Sequence, residues 1–313
     1  MTSLSFGGLS EPVLRLSVFL GVLAALMALE RVLPRRGLHR SRGARWTTHL
    51  SIVVLDGLCL RVLGALAAPL LAVGTAIWAQ AHGWGLLNQF EAPPWLEVAV
   101  ALALFDLLIW AQHRVFHRVP WLWRIHRMHH ADPDFDATTA LRFHPIEILL
   151  SMAIKVVAVL LLGPSAVAVV LFEVILNACA MFNHANLRLP LWLDTPLRRV
   201  LVTPDMHRVH HSTRPGEHHN NFGFSLSVWD RWFGTYVAQP RDGHLDMQIG
   251  LRDFARERPE SLRWCLAIPF RAAPATSATS ATSATSAETT PMTGAARPDA
   301  DPDPDPDPGS SRD

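Results

Sequence analysis

The sequence predicts an all-α fold, that of a polytopic helical membrane protein, and three observations support this prediction. Half of the 313 residues are hydrophobic and the mean hydropathy is +0.18, which is high for a soluble globular protein. Five apolar runs have roughly the length needed to cross a bilayer. The loops between these runs differ sharply in their content of arginine, as membrane loops do.

The apolar runs cover about residues 12–33, 50–79, 95–112, 146–163 and 165–183. Charged residues interrupt them, so re-entrant segments and packed hairpins are alternatives to full spans; these residues are Arg15, Asp56, Arg61, Asp106, Lys155 and Glu173. Only the letters GPS separate the last two runs, which predicts a helical hairpin. A buried hairpin of a soluble core is the alternative for this pair.

The arginines predict the orientation of the spans. Residues 31–46, RVLPRRGLHRSRGARW, are strongly basic, whereas residues 74–94, GTAIWAQAHGWGLLNQFEAPP, contain no Lys or Arg. By the positive-inside rule the first loop is cytoplasmic and the second lies outside. Counting onwards, the segment after the third run and everything after the fifth lie in the cytoplasm.

Composition divides the chain into three predicted segments. Residues 1–94 hold N-terminal membrane spans and connecting loops, and residues 95–271 hold further spans and a histidine-rich cytosolic cap. Residues 272–313 consist of an Ala-Thr-Ser repeat and an Asp-Pro repeat, which predicts a disordered, low-complexity acidic tail. The three cysteines Cys59, Cys179 and Cys265 form no CxxC pair, so neither a disulfide framework nor a zinc ribbon is indicated.

Histidines recur at metal-ligand spacing in the second segment. His113 and His117 form HxxxH, which places both rings on one face of a helix. Two copies of HxxHH follow, and a single histidine ends the fifth run; they are His126, His129 and His130, then His184, then His207, His210 and His211. A lone histidine at a membrane interface is usually a packed side chain. Crowded rings would repel one another when protonated, however, and neutral imidazole is a metal ligand.

The number of rings indicates two metal ions. Eight or more imidazoles exceed what one tetrahedral or octahedral ion can accept, which favours a two-metal centre. Ligation by nitrogen alone suits Zn, Cu, Fe or Ni, and a structural zinc site would favour cysteine. The sequence therefore predicts a cytosolic helical cap that carries a histidine-rich dimetal site, with a redox metal favoured.

Helical phase suggests partners for two of these rings. Ligating imidazoles usually donate their second N–H to a carboxylate or a carbonyl. Asp106 precedes His113 by seven residues, and Asn177 and Glu173 precede His184 by seven and eleven, so each shares a helix face with its histidine. We expect these three side chains to orient the rings, with a helix-packing hydrogen bond as the alternative.

The three histidine motifs, followed by NNFGFSLSVWDRWFGTY at residues 220–236, resemble the fatty acid hydroxylase superfamily, also called the sterol desaturase family, and in particular its bacterial members. The resemblance runs from about Asp106 to Tyr236. It implies an integral protein of the bacterial inner membrane, and the orientation predicted from the arginines places the active site on the cytoplasmic side. It further implies an enzyme that uses O2, two iron ions and external electrons to hydroxylate or desaturate a C–H bond of a fatty acyl, sterol or related lipid.

The resemblance also implies which residues bind the metal and which partners the enzyme needs. The ligands would be His113, His117, His126, His129, His130, His184, His207, His210 and His211, with no further catalytic residue. Relatives of the ceramide hydroxylases have a tenth histidine where this chain has Ala180; His144, His218 and His219 are candidates for that role. Trp229 and Phe233 would form an aromatic lid and Asp230 a salt bridge. The electron donor would be a separate ferredoxin or b-type cytochrome with its reductase.

A second class of function is a histidine-rich membrane metal transporter or metal-binding protein. Its histidines should line a path through the membrane, whereas here they are predicted to lie at its cytoplasmic edge. A membrane zinc hydrolase would need a glutamate beside the histidines, as in HExxH, and the sequence has none.

Overall fold

The computed structural model describes residues 5–6, 8–66, 71–255 and 257–272, and these residues are mainly helical. Five helices are long and apolar enough to cross a membrane: α1 Glu11–Val32, α2 Arg42–Leu66, α4 Pro94–Arg118, α6 Pro145–Leu162 and α7 Ala166–Asn183. The predicted all-α membrane fold is confirmed. The predicted acidic tail lies outside the described residues from position 273 onwards.

The second predicted run does not form one span. It is divided between α2, which already begins at Arg42, and the shorter helix α3, Ala72–Ala81. Ten residues of helix extend only about 15 Å, half the thickness of the hydrocarbon core. Ala72 and Ala76 are buried with Val169 and Phe172 of α7, so α3 is a packing helix whose composition resembles that of a span.

Short elements connect and cap the long helices. A hairpin of β1 Ser5–Phe6 and β2 Leu9–Ser10 precedes α1. The short α-helices are α5 Pro120–His130, α8 Leu191–Leu197, α9 Pro204–His210, α10 Pro215–His218, α11 Val228–Trp232, α12 Gly243–Asp246 and α13 Leu262–Ala267. The 3-10 helices are Leu86–Gln89, Ala137–Leu141, Arg252–Phe254 and Ile268–Phe270.

Local sequence signals set the helix ends near the histidines. Pro120 occupies the first position of α5 directly after α4 has ended, because proline lacks an N–H and cannot continue a helix but can begin one. Gly163 ends α6 in the left-handed region at φ 64°, where glycine is unstrained. The hydroxyl of Ser165 then accepts a hydrogen bond from the N–H of Ala168 and caps α7.

The long helices alternate in direction, so that α1, α4 and α7 end where α2 and α6 begin. Glu30, near the end of α1, is buried, and its Oε1 accepts hydrogen bonds from the N–H groups of Ala137 and Asn186, both at 2.7 Å. Both hydrogen bonds join α1 to segments that directly follow predicted histidine ligands. The first span thus holds the end of the bundle that carries the histidines.

The basic loop after α1 packs on the same end of the bundle. Arg45 is buried and bonds Asp132 at 2.8–3.0 Å and also Asp136. Although burial raises it, the pKa of Asp132 is held well below its usual range by the Arg45 guanidinium. Asp134 accepts hydrogen bonds from the N–H groups of His39 and Arg40 at 2.8 and 2.7 Å. The segment DPDFD therefore fastens the loop after α5 to the N-terminal spans.

Candidate metal centre

The nine predicted ligands lie at the ends of four helices. His113 and His117 occupy the last two turns of α4, and the HxxHH motif of His126, His129 and His130 ends α5. His184 is the C-terminal cap of α7. His207 and His210 lie in α9, and His211 caps it. Because these helix ends meet at one end of the bundle, the rings converge.

The converging rings form two clusters, in each of which the potential ligand atoms lie within 4.8 Å of one another. The five-histidine cluster consists of His113, His117, His126, His130 and His210, and the four-histidine cluster consists of His129, His184, His207 and His211. None of these nine side chains is more than 5% exposed. We call the two clusters together the cage.

The two clusters are in direct contact. His129 and His130 are neighbours in the chain but belong to different clusters. The rings of His130 and His211 stack across the boundary with centroids 4.4 Å apart. The cage could therefore hold two metal ions side by side.

Hydrogen bonds in the five-histidine cluster leave ring nitrogens free to bind a metal. The Nδ1–H of His113 donates to the carbonyl of Phe222 at 2.8 Å, and that of His210 donates to the carbonyl of Asn220 at 2.7 Å. A carbonyl can only accept, so Nε2 of each ring carries the lone pair. Both Nε2 atoms are buried and have no partner among the described residues, as atoms awaiting a metal would be.

The four-histidine cluster shows the same arrangement. His184 Nδ1–H donates to the carbonyl of Ala180 at 2.7 Å, which leaves the lone pair on Nε2. That atom faces the Nε2 atoms of His129 and His207 at 3.1 and 3.2 Å. Three ring nitrogens converging without a carboxylate or hydroxyl between them fit a shared cation better than a hydrogen-bond network.

Burial keeps the rings in the neutral, metal-binding form. It lowers the pKa of His126 and of His184 to about 3. Burial and the neighbouring rings lower the pKa well below the usual value for others in the cage, namely His129, His130, His207, His210 and His211. These imidazoles are therefore uncharged at neutral pH.

The three predicted orienting side chains do not contact the histidines. Asp106 accepts hydrogen bonds from Trp229 Nε1 at 2.8 Å and from the N–H of Leu226 at 3.1 Å. Glu173 pairs with Arg15 and Lys155, and Asn177 donates to the carbonyl of Glu173 at 2.8 Å. The prediction was wrong because two residues that are seven apart share a helix face but are separated by about 10 Å along the helix axis.

Glu147 is the orienting carboxylate that sequence reasoning missed. It lies in the first turn of α6, is 4% exposed, and its Oε1 accepts from His126 Nδ1 at 2.7 Å. A signal was present in the letters HPIE, because a proline at the first helical position places the following glutamate in the first turn. The contact spans two helices, however, so the spacing alone does not reveal it.

The candidates for a tenth ligand occupy different places. His144 accepts a hydrogen bond from the N–H of Ile146 and caps α6 outside both clusters. His218 lies 4.7 Å from His130, measured between ring centroids, and therefore stands beside the five-histidine cluster. It does not fill the place of Ala180, which precedes His184 in the four-histidine cluster.

Aromatic side chains line the cage. The ring of Phe143 stacks on His129 with centroids 4.5 Å apart, Phe224 lies 5.1 Å from His113, and Phe135 lies 5.4 Å from His184. Phe143 and Phe224 belong to an apolar cluster that continues into α1 and α7. The cage thus has an apolar wall on the side of the membrane helices.

The segment after the last motif acts as a structural clasp. Asp230 accepts hydrogen bonds from Trp110 Nε1, Thr235 Oγ1 and the N–H groups of Phe222 and Gly223, at 2.6–3.0 Å. Within the described residues it forms no salt bridge, so the predicted ion pair was wrong. These four hydrogen bonds fix the segment that contains Phe222, and the carbonyl of Phe222 orients the ring of His113.

Fold and site together define an integral membrane protein of helices with a buried, histidine-lined centre suited to two metal ions. Residues 98–235 match the family model described as Fatty acid hydroxylase. This segment contains all nine candidate ligands, so the family resemblance predicted from the histidine motifs is confirmed over these residues.

Several curated proteins are similar to the chain. Ornithine lipid hydroxylase OlsE of Rhizobium tropici is 25% identical over 237 residues, which are 74% of this chain and 70% of that protein. Alkylglycerol monooxygenase of Homo sapiens is 30% identical over 50% of this chain and 34% of its own length. Cholesterol 25-hydroxylase of Rattus norvegicus is 27% identical over 48% and 49%. No solved structure matches the chain.

These comparisons confirm the predicted class, an oxidoreductase of the membrane lipid hydroxylase type. The chain spans most of the length of OlsE but only a third to a half of the other two relatives. Substrate and partners are therefore a matter for proposal.

Proposed function

We propose that the protein is a di-iron enzyme of the bacterial inner membrane that uses O2 and external electrons to hydroxylate a lipid C–H bond. The observation that carries this proposal is the convergence of nine buried histidines into two touching clusters with unpaired ring nitrogens. A transporter would distribute such rings along a path, whereas these are gathered at one end of the bundle.

The nine histidines of the cage are the proposed ligands. A pair of iron ions would supply the O2 activation and C–H oxidation that no side chain in the cage can perform. Iron is favoured over zinc because hydroxylation with O2 requires a metal that changes oxidation state, and imidazole suits iron. The side chains themselves supply neutral nitrogen donors that repel no cation.

Hydrogen bonds from the protein keep each ring in the required tautomer. The carbonyls of Phe222, Asn220 and Ala180 hold protons on the Nδ1 atoms of three rings. Glu147 does the same for His126. Such contacts around a metal raise ligand basicity and fix ring orientation.

The apolar wall provides the place for a lipid chain. Phe143, Phe224 and Met181 belong to the same apolar cluster, which continues from the cage into helices α1 and α7. A dry wall excludes water from the reacting C–H bond. We propose that the substrate reaches the cage along this wall from the membrane.

Ornithine lipid is the first substrate to test, because the match to OlsE covers 70% of that protein and 74% of this chain. Alkylglycerols and cholesterol, named for the other relatives, are the alternatives. Hydroxylation is favoured over desaturation because these relatives are named hydroxylases or monooxygenases. Residues 95–271 are the proposed hydroxylase segment, supported by the spans of residues 1–94.

The cage is proposed to face the cytoplasm. The basic loop of residues 33–41 packs against the end of the bundle that carries the histidines, through contacts such as Asp134 to the N–H of Arg40. Basic loops stay on the cytoplasmic side. A separate ferredoxin or b-type cytochrome with its reductase would deliver electrons from that side.

Lipid analysis of cells with and without the protein tests the proposal. Cells that make the wild-type chain and supply ornithine lipid should accumulate a product with one added oxygen atom, and purified protein should hold two iron ions. His129→Ala and His210→Ala should abolish the product and reduce bound iron, whereas exposed His39→Ala should change neither. Wild-type protein that holds two irons yet oxidises none of the three lipid classes would refute the activity.

A further inference from the structure

Two histidines outside the cage form a further group with one of its members. His218 ends α10 and His219 follows it. Potential ligand atoms of His117, His218 and His219 lie within 4.8 Å of one another. Because His117 also belongs to the five-histidine cluster, one imidazole is common to the cage and to this outer group.

Both outer rings have a nitrogen available for a ligand. His218 is 8% exposed, and one of its ring nitrogens is among the potential ligand atoms of this group. Nδ1 of half-buried His219 has no partner among the described residues. The centroids of the two rings are 4.9 Å apart, and that of His218 lies 5.0 Å from that of His117.

A solvent-facing cavity of about 240 Å³ leads to the outer group. His218, His219 and Trp123 line its inner part, and exposed Arg252 and Asp253 lie at its rim. The ring of Trp123, which lines the cavity, lies 4.9 Å from that of His117, so the cavity adjoins the cage. An ion coming from solvent through this cavity would meet His219 and His218 before it reached His117.

We propose that His117, His218 and His219 form an outer binding position for a divalent transition metal ion, from which the ion passes into the five-histidine cluster. This inference rests on the proposed function, since it requires a cage that binds metal. Transfer is an exchange of ligands: bonds to His218 and His219 break as bonds to cage nitrogens form, and His117, which has a single lone pair, binds one ion at a time. No electron moves and no proton is released, because the rings are neutral.

Charges near the cavity suit a transient position. Arg118 acts electrostatically on His219, and Arg127 and Arg252 line the cavity, opposed by Asp253. These guanidinium groups oppose a bound cation, and three nitrogens bind it less strongly than the larger cage clusters. We expect the outer position to be weaker than the cage, as transfer inward requires.

Cobalt(II) titration of the full-length protein in detergent, after removal of bound metal with a chelator, tests the proposal. Wild-type protein should bind two equivalents tightly in the cage and a third more weakly at His218 and His219, with absorption bands that distinguish them. His218→Ala/His219→Ala should lose the third equivalent, keep the two tight ones and fill them more slowly. The matched control His39→Ala/His82→Ala removes two exposed histidines and should retain all three.

Each other outcome overturns the proposal. A third equivalent that survives in His218→Ala/His219→Ala places the weak site elsewhere. Loss of a tight equivalent in that variant would show that His218 is a permanent ligand of the cage. The single variant His219→Ala changes a half-exposed side chain and should fold, so it tests the outer position even if the double variant does not fold. Wild-type protein without tight equivalents refutes the metal centre itself, which separates failure of the proposed function from failure of this inference.

Discussion

His126 and Glu147 show how one hydrogen bond sets the chemistry of a ring nitrogen. The 2.7 Å contact with Glu147 Oε1 keeps the proton on His126 Nδ1, and Nε2 is left unpaired inside the cage. The sequence predicted eight of the nine rings of the cage by their helical spacing and all nine through the family resemblance. It missed Glu147 because the contact joins two helices separated by an irregular loop.

Replacement of Glu147 tests this role. Glu147→Ala removes the acceptor and should weaken metal binding by roughly 10- to 100-fold, as loss of such orienting groups does. Glu147→Gln retains a carbonyl acceptor and should lose much less. Competition with a coloured chelator measures both affinities, and equal losses in the two variants would show that charge, not orientation, is the contribution of Glu147.

Gly223 lies where a methyl group has no room. A Cβ there would stand 2.8 Å from the carbonyl oxygen of Leu226 and 2.9 Å from Cγ2 of Val202. Gly223→Ala should therefore lower the free energy of unfolding by about 1–3 kcal/mol, measured by thermal unfolding in detergent. Gly216→Ala, with nothing within 4 Å, is the matched control and should be close to neutral.

The helices could be predicted where the length of an apolar run agreed with the positions of proline and glycine at its ends. Pro120, Pro145 and Gly163 mark helix ends in both the letters and the structure. The run of residues 50–79 was misjudged because α2 and α3 are both apolar, and hydropathy does not register that one of them packs inside the protein. The salt bridge expected of Asp230 failed because spacing does not distinguish an ion pair from a carboxylate that accepts backbone N–H groups.

Arg45 links α2 to the loop after α5, and its loss should be severe. It is 1% exposed and neutralises Asp132 and Asp136, which are equally buried. Arg45→Met would leave two carboxylates without their cation, and we expect a loss of about 3–5 kcal/mol. Thermal unfolding should show a large drop for Arg45→Met and little change for the exposed control Arg42→Met.

We expect the stability of the whole protein to depend on its metal because the cage joins the ends of α4, α5, α7 and α9. Chelation should lower the unfolding temperature, and added iron(II) should restore it; a ligand at 1,000 times its Kd stabilises by about 4 kcal/mol. The unfolding temperature of His129→Ala/His210→Ala should respond much less. An unfolding temperature of wild-type protein that ignores chelator would contradict a filled cage.

The orientation in the membrane can be tested with two exposed histidines. His39 lies in the basic loop and His82 follows α3, in the loop predicted to lie outside. In a background with the three cysteines replaced by serine, His82→Cys should react with a membrane-impermeant maleimide on intact spheroplasts. His39→Cys should react only after lysis, and the reverse pattern would place the cage on the outer side.

The cage consists of imidazoles alone among the described residues, and no anionic ligand offsets the charge of bound ions. The four helices that carry its histidines all end at it. The carboxyl end of a helix carries partial negative charge from its aligned peptide dipoles. Backbone dipoles therefore contribute negative potential at the cage, which partly offsets the positive charge of bound cations.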